Sequence, residues 1–120
     1  MSTFGKRIRP HVTAEISRAD RAEREGYAGR AFLHLERAHV LGQASTREHV
    51  RVHWRMLVWG WRRRDMREVA GQLLRLVGAA TKTAIGFIPS GNTGGANISP
   101  VKRLPVPADL VAIIQAAKQR

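Results

Sequence analysis

Residues 35–57, LERAHVLGQASTREHVRVHWRML, contain the turn on which the fold depends. Gly42 can end a helix, because the position after the last helical turn often takes a left-handed backbone that glycine tolerates. Ser45 and Glu48 then match a capping box, a hydroxyl followed three residues later by a carboxylate at the start of the next helix. A connection of three or four residues makes neighbouring helices antiparallel. We therefore expect side chains on the two sides of the turn to face each other.

Apolar spacing predicts further helices around this pair. Val12 and Ile16 begin a helical pattern that starts at Pro10 and breaks at Gly26, and Asp65 can cap a helix that reaches about residue 80. On the helix after Ser45, one stripe is expected to form the core face: Val50, Trp54, Leu57 and Trp61.

A weak internal repeat relates the segment at Gly26 to the segment at Asp65, and it resembles the turn and second helix of a tetratricopeptide unit. The fold class we expect is all-α: a four-helix, tetratricopeptide-like double hairpin or a four-helix bundle, then a long Gly/Pro-rich loop and a short C-terminal helix. The expected divisions are a flexible basic arm (1–9), a helical core domain (10–80), an extended Gly/Pro-rich segment packing on the core (81–107), and a C-terminal helix with a basic tail (108–120).

Composition limits the chemistry. The 120 residues include no cysteine, which excludes thiolate catalysis, disulfides and thiolate-bound metal clusters. The formal net charge of +12 predicts a positive surface that attracts an acidic protein or a nucleic acid. The densest basic patch is Arg62, Arg63 and Arg64. No targeting or transmembrane segment is evident, so we expect a cytoplasmic protein, with oligomerisation left open.

Histidines give the main chemical signal, since four of the five lie between His34 and His53. His49 and His53 are four residues apart, which places both imidazoles on one helix face. Glu36 and His39 have the three-residue spacing found in carboxylate-containing metal sites of helical bundles. Glu36, His39, His49 and His53 are thus candidate ligands for a divalent transition metal, namely Zn, Ni, Co or Fe, with haem ranked behind these. The alternative is that these histidines only make hydrogen bonds at a helix seam.

The Gly-rich stretch offers a second candidate site. Consecutive backbone N–H groups at Gly91, Asn92, Thr93 and Gly94 can form an anion-binding nest, although a simple chain reversal explains the same residues. No nucleophile motif is present, so we assign no catalytic residue. A small enzyme that uses the histidines as general acid or base is the third interpretation, after metal binding and an interaction module for an acidic peptide or nucleic acid.

Five short motifs occur together along the chain: the run 35–43, then His49, His53, Met56 and Leu57, then Gly71, Gln72, Arg75 and Leu76, the run 91–94, and Pro105, Pro107, Asp109 and Leu110. In this combination the chain resembles a small bacterial family of unknown function, domain of unknown function 3703. Members that resemble it occur among heavy-metal efflux genes, so the resemblance implies a link to metal resistance or homeostasis.

Overall fold

The computed structural model describes residues 3–81 and 106–119. Within those ranges the secondary structure is entirely helical, which confirms the all-α class. The five helices are α1 (Thr3–Arg24), α2 (Ala28–Gly42), α3 (Thr46–Arg62), α4 (Met66–Thr81) and α5 (Ala108–Lys118).

The first four helices form two antiparallel pairs, and a contact between one helix of each pair joins them. α1 packs mainly on α2, α3 packs mainly on α4, and α2 joins the two pairs by packing on α3. α5 lies against α1 and α2, where its Leu110 is fully buried. The expected C-terminal helix is therefore present, and no described helix is long and apolar enough to cross a bilayer.

α1 begins earlier than the sequence pattern indicated. Residues 3–9, expected to be a flexible arm, are helical, and Pro10 lies inside the helix rather than at its start. The reason is that Ile8 extends the buried stripe of Val12 and Ile16 by one turn, and both Ile8 and Val12 are fully buried. That burial of apolar surface outweighs the one backbone hydrogen bond that proline removes.

The turns follow capping chemistry. Ser45 accepts a hydrogen bond from the Glu48 N–H at 3.4 Å, and Asp65 accepts one from the Glu68 N–H at 3.1 Å. The second half of the capping box is absent, because the Glu48 carboxylate binds Arg51 instead. The connection between α2 and α3 is three residues long, as expected.

The predicted core face of α3 was wrong. Trp54 and Trp61 are exposed by 55% and 65%. The face that packs inward carries His49, Val52, His53, Met56 and Gly60 instead. The expected packing of the Gly/Pro-rich segment, and the expected anion nest at Gly91, Asn92, Thr93 and Gly94, lie outside the described residues.

Candidate metal centre

Three histidines meet at the seam between α2 and α3, close to the short turn. His39 is near the end of α2, while His49 and His53 lie one turn apart near the start of α3. The antiparallel crossing forced by the three-residue connection brings the two helix faces together, as the sequence predicted. Gly42 allows the close approach, since a Cβ there would lie 2.9 Å from Cβ of Glu48.

The three rings form a nearly equilateral triangle. Ring centroids are 4.9 Å apart for His39 and His49, and 4.7 Å apart for each of these rings and His53. Nε2 of His49 lies 3.1 Å from Nε2 of His39 and 3.0 Å from Nε2 of His53. Three imidazoles bound to one tetrahedral zinc at normal Zn–N distances would have nitrogens about 3.3 Å apart. The spacing is therefore close to that of a three-histidine metal site.

All three imidazoles are buried, with exposed fractions of 1% for His39 and 0% for His49 and His53. Burial, helped by the neighbouring His53, lowers the pKa of His49 to about 3. Burial also lowers the pKa of His53 to about 4, a balance between the hydrogen bond to Gln72, which raises it, and the charge of Arg75, which lowers it further. At neutral pH both rings are uncharged, which is the form that binds metal ions.

A second layer of polar groups comes from α4. Nδ1 of His53 donates to Oε1 of Gln72 at 2.5 Å, and Nε2 of Gln72 donates to Oε2 of Glu68 at 2.5 Å. Gln72 is fully buried and Glu68 is 7% exposed. By contrast, Nδ1 of His49 is buried with no hydrogen-bond partner among the described residues.

Hydrogen bonds among the three histidines cannot satisfy all of the Nε2 atoms that meet at the centre of the triangle. Because Nδ1 of His53 carries the proton donated to Gln72, the neutral ring has a lone pair on Nε2. The two contacts of Nε2 of His49, to His39 and to His53, then share at most one proton. At most one of them can be a full, linear hydrogen bond, so lone pairs face each other at the centre of the triangle.

The structure brings together three of the four predicted metal ligands. His39, His49 and His53 place ligand atoms within 4.8 Å of one another, and Glu36 is not part of this group. Glu36 lies three residues from His39, which leaves the two side chains about 60° apart around α2. It is half-buried, whereas His39 faces the seam.

The predicted basic patch lies away from the triad. Arg62, Arg63 and Arg64 are exposed at the end of α3, and Arg62 donates to Glu23 of α1 at 2.6 Å. Arg64 has a positive φ of 57°, so it takes the left-handed position that Gly26 occupies after α1. The patch and the triad are therefore two separate features of α3.

Glu68 and Gln72 also belong to the site, although the sequence pattern did not predict them there. Glu68 and Gln72 are four residues apart on α4, which puts them on one helix face. That spacing was the available signal, but it says nothing about which neighbouring helix the face meets. The packing of α4 on α3 supplies this information.

No curated protein and no solved structure matches the chain. A family model does match it, over residues 6–114, and its description is "Protein of unknown function (DUF3703)". The match covers all five described helices except the first residues of α1 and the last residues of α5, and it includes the whole histidine triad. The chain therefore belongs to the DUF3703 family.

Proposed function

We propose that this protein binds a divalent transition metal ion through His39, His49 and His53, and that it serves metal resistance or homeostasis. The observation that carries the proposal is the convergence of three buried Nε2 atoms, with two contacts of 3.1 and 3.0 Å around His49. A metal ion accepts all three lone pairs at once, which the single proton available to these contacts does not. The link to resistance or homeostasis rests on the family resemblance noted above.

The donor set favours certain metals. Three neutral imidazoles suit Zn(II), and also Ni(II), Co(II) or Fe(II). Three protein ligands leave a fourth tetrahedral position for water or another small ligand, as in zinc sites that are not fully closed by protein. Centroid separations of 4.7–4.9 Å leave no room for a porphyrin between the rings, so the proposal is for a bare ion rather than haem.

The test is a titration of untagged protein with Zn(II) and Co(II). Calorimetry measures the stoichiometry and affinity, and the visible spectrum reports the coordination geometry of bound Co(II). We expect one ion per chain and the intense absorption of tetrahedral Co(II). The variant His49→Ala with His53→Ala should weaken binding by more than the roughly 10–100-fold that loss of an outer partner causes.

The matched control is His11→Ala with His34→Ala, which removes the same number of imidazoles outside the triad. His11 is exposed, and His34 binds Glu15 at 2.8 Å. This control should keep the wild-type stoichiometry and affinity. Equal affinity in the triad variant and the control, with both shown to be helical by circular dichroism, would refute the proposal.

A second candidate function is binding of single-stranded nucleic acid or an acidic peptide at the end of α3. The observation that favours it is the exposure of Trp61, by 65%, next to the exposed Arg63 and Arg64. Aromatic side chains beside basic ones bind single strands by stacking and by phosphate contacts. None of these three side chains belongs to the triad.

This second candidate predicts binding to a labelled single-stranded oligonucleotide that weakens steeply as salt rises. The variant Arg63→Gln with Arg64→Gln should bind more weakly than Arg9→Gln with Arg47→Gln, which removes two exposed arginines elsewhere. If both variants lose affinity equally, the attraction comes only from the net charge. No binding at low salt would exclude the nucleic-acid version and leave the acidic peptide to be tested the same way.

The catalytic alternative has less support from the site. A general acid or base works best with a pKa near the working pH. The pKa values of His49 and His53, about 3 and about 4, lie well below 7. We therefore do not propose an enzymatic role for the triad.

A further inference from the structure

We propose that Glu68 and Gln72 are positioning residues that hold His53 in a single tautomer and direct its Nε2 lone pair toward the centre of the triad. This inference rests on the proposed metal-binding function and deepens it, because it assigns a role to two α4 residues that do not touch the ion. The two residues form a relay from a carboxylate through an amide to an imidazole.

The relay is short and buried. The His53–Gln72 and Gln72–Glu68 contacts are both 2.5 Å, Gln72 is 0% exposed and Glu68 is 7% exposed. Glu68 and Gln72 are one turn apart on α4. Gly60 lets α4 approach α3 closely here, since a Cβ at Gly60 would lie 3.3 Å from Cβ and Cγ of Glu68.

The chemistry of the three groups fixes the direction of each hydrogen bond. A carboxylate only accepts, so the amide nitrogen of Gln72 must face Glu68. The amide oxygen of Gln72 then faces His53, and an oxygen there requires a proton on Nδ1. A neutral imidazole with its proton on Nδ1 has its lone pair on Nε2, the atom that lies 3.0 Å from Nε2 of His49. Glu68 therefore sets the tautomer of His53 through two successive hydrogen bonds.

His49 provides an internal contrast. Its Nδ1 has no hydrogen-bond partner within the described ranges, so no outer contact holds a proton there and leaves the Nε2 lone pair free for a metal. In the metal-free protein the lone pair on Nε2 of His53 instead favours a proton on Nε2 of His49. Outer partners that orient a histidine ligand typically change metal affinity by roughly 10–100-fold. The relay therefore prepares one of the two α3 ligands before a metal arrives.

The first experiment measures imidazole ¹⁵N chemical shifts of the metal-free protein, which distinguish the two neutral tautomers. In the wild type we expect His53 with its proton on Nδ1 alone and His49 with its proton mainly on Nε2. The variant Gln72→Met keeps a side chain of similar size but cannot accept the hydrogen bond. We expect it to give a tautomer mixture at His53, and zinc affinity roughly 10–100-fold lower at unchanged stoichiometry.

A second variant exchanges the two groups. In Glu68→Gln with Gln72→Glu, the new carboxylate at position 72 accepts from Nδ1 of His53 and from the new amide at position 68. The double variant should restore the single tautomer and near-wild-type zinc affinity. A purely structural role for the pair does not predict this restoration. The exchanged pair therefore still tests the inference if Gln72→Met misfolds.

The matched control is Glu15→Gln, which also converts a buried carboxylate to an amide. Glu15 is 2% exposed and binds His34, Arg18 and Arg37, away from the triad. It should lose stability without changing the His53 tautomer. An unchanged tautomer in Gln72→Met, or failure of the exchanged pair to restore it in a folded protein, would overturn the inference. Because the tautomer is measured without metal, failure to bind zinc would refute the proposed function separately.

Discussion

Among single residues, Gly42 has tighter surroundings than Gly26, Gly29 or Gly60. A Cβ added there would lie 2.9 Å from Cβ of Glu48 and 3.4 Å from Cγ2 of Val12, so α1 and α3 both meet the end of α2 at this point. The Cβ of Glu48 cannot move without its backbone. A methyl group at Gly42 must therefore push the helices apart, just beside His39 and His49.

We predict that Gly42→Ala lowers the free energy of unfolding by about 1–3 kcal/mol, the usual cost of overpacking a core. It should also weaken zinc binding, because the seam that carries the triad widens. The control is Gly29→Ala, where an added Cβ meets nothing within 4 Å. This helical position should gain about 0.5–1 kcal/mol. Urea denaturation of both variants measures the difference, and a loss of equal size at both sites would contradict it.

Among the helices, α3 has one feature that the sequence predicted correctly, the meeting of its histidines with α2, and one that it did not, the face that packs inward. The spacing of His49 and His53, the Ser45 cap and the short connection all predicted the meeting of three imidazoles. The core face was assigned wrongly because tryptophan counts as apolar and histidine as polar in any periodicity. Neutral imidazoles that contact one another and Gln72 can be buried, so the face with His49, Val52, His53 and Met56 turns inward and Trp54 turns outward.

α5 offers a test at the same scale, because two arginines connect it to the rest of the fold: Arg7 donates to the Ala117 carbonyl at 2.6 Å, and Arg37 binds Asp109. Nε of Arg37 donates to Oε2 of the buried Glu15 at 3.1 Å, and its guanidinium also pairs with Asp109 at the start of α5. The hydrogen bond from Arg37 holds the pKa of Asp109 below its usual value. Arg18 also binds Glu15, at 3.1 Å, but makes no hydrogen bond or ion pair with the described residues of α5.

We predict that Arg37→Met speeds amide hydrogen exchange in α5 several-fold, while Arg18→Met leaves α5 exchange close to wild type. The reason is that only Arg37 joins Glu15 on α1 to Asp109 on α5. Buried Leu110 keeps α5 docked in both variants, so the change is in local opening rather than in global unfolding. Exchange followed by mass spectrometry on peptides covering 108–118 measures it. Equal acceleration in the two variants would show that the loss of charge beside Glu15, and not the link to α5, is responsible.

Across the whole molecule, two of the polar networks that cross the helices each start from a buried carboxylate, Glu15 or Glu68. Glu15 joins α1 to α2, and Arg37 extends that network to α5. Glu68 begins the other network, which passes through Gln72 of α4 to the histidines of α3 and α2. The first network contains charged pairs, whereas His49 and His53 of the second network are uncharged at neutral pH. These two rings give the second network a predictable response to acid.

We predict that acid destabilises the metal-free protein through the triad. The native pKa values of His49 and His53 are about 3 and about 4, against an ordinary value of 6.5. Well above pH 6.5 both states are neutral at these sites, so the two histidines add no pH dependence there. Below pH 6.5 the unfolded chain binds two protons that the native state does not, and stability falls as pH falls. Each such proton costs about 1.4 kcal/mol per pH unit once the unfolded ring is protonated, so the slope is steepest near pH 5, at about 2.5 kcal/mol per unit, and falls near pH 4 as the native His53 begins to bind a proton. Denaturation curves in a chelator should be steeper in pH for the wild type than for His49→Gln with His53→Gln, and parallel curves would show that these rings are not buried as neutral groups.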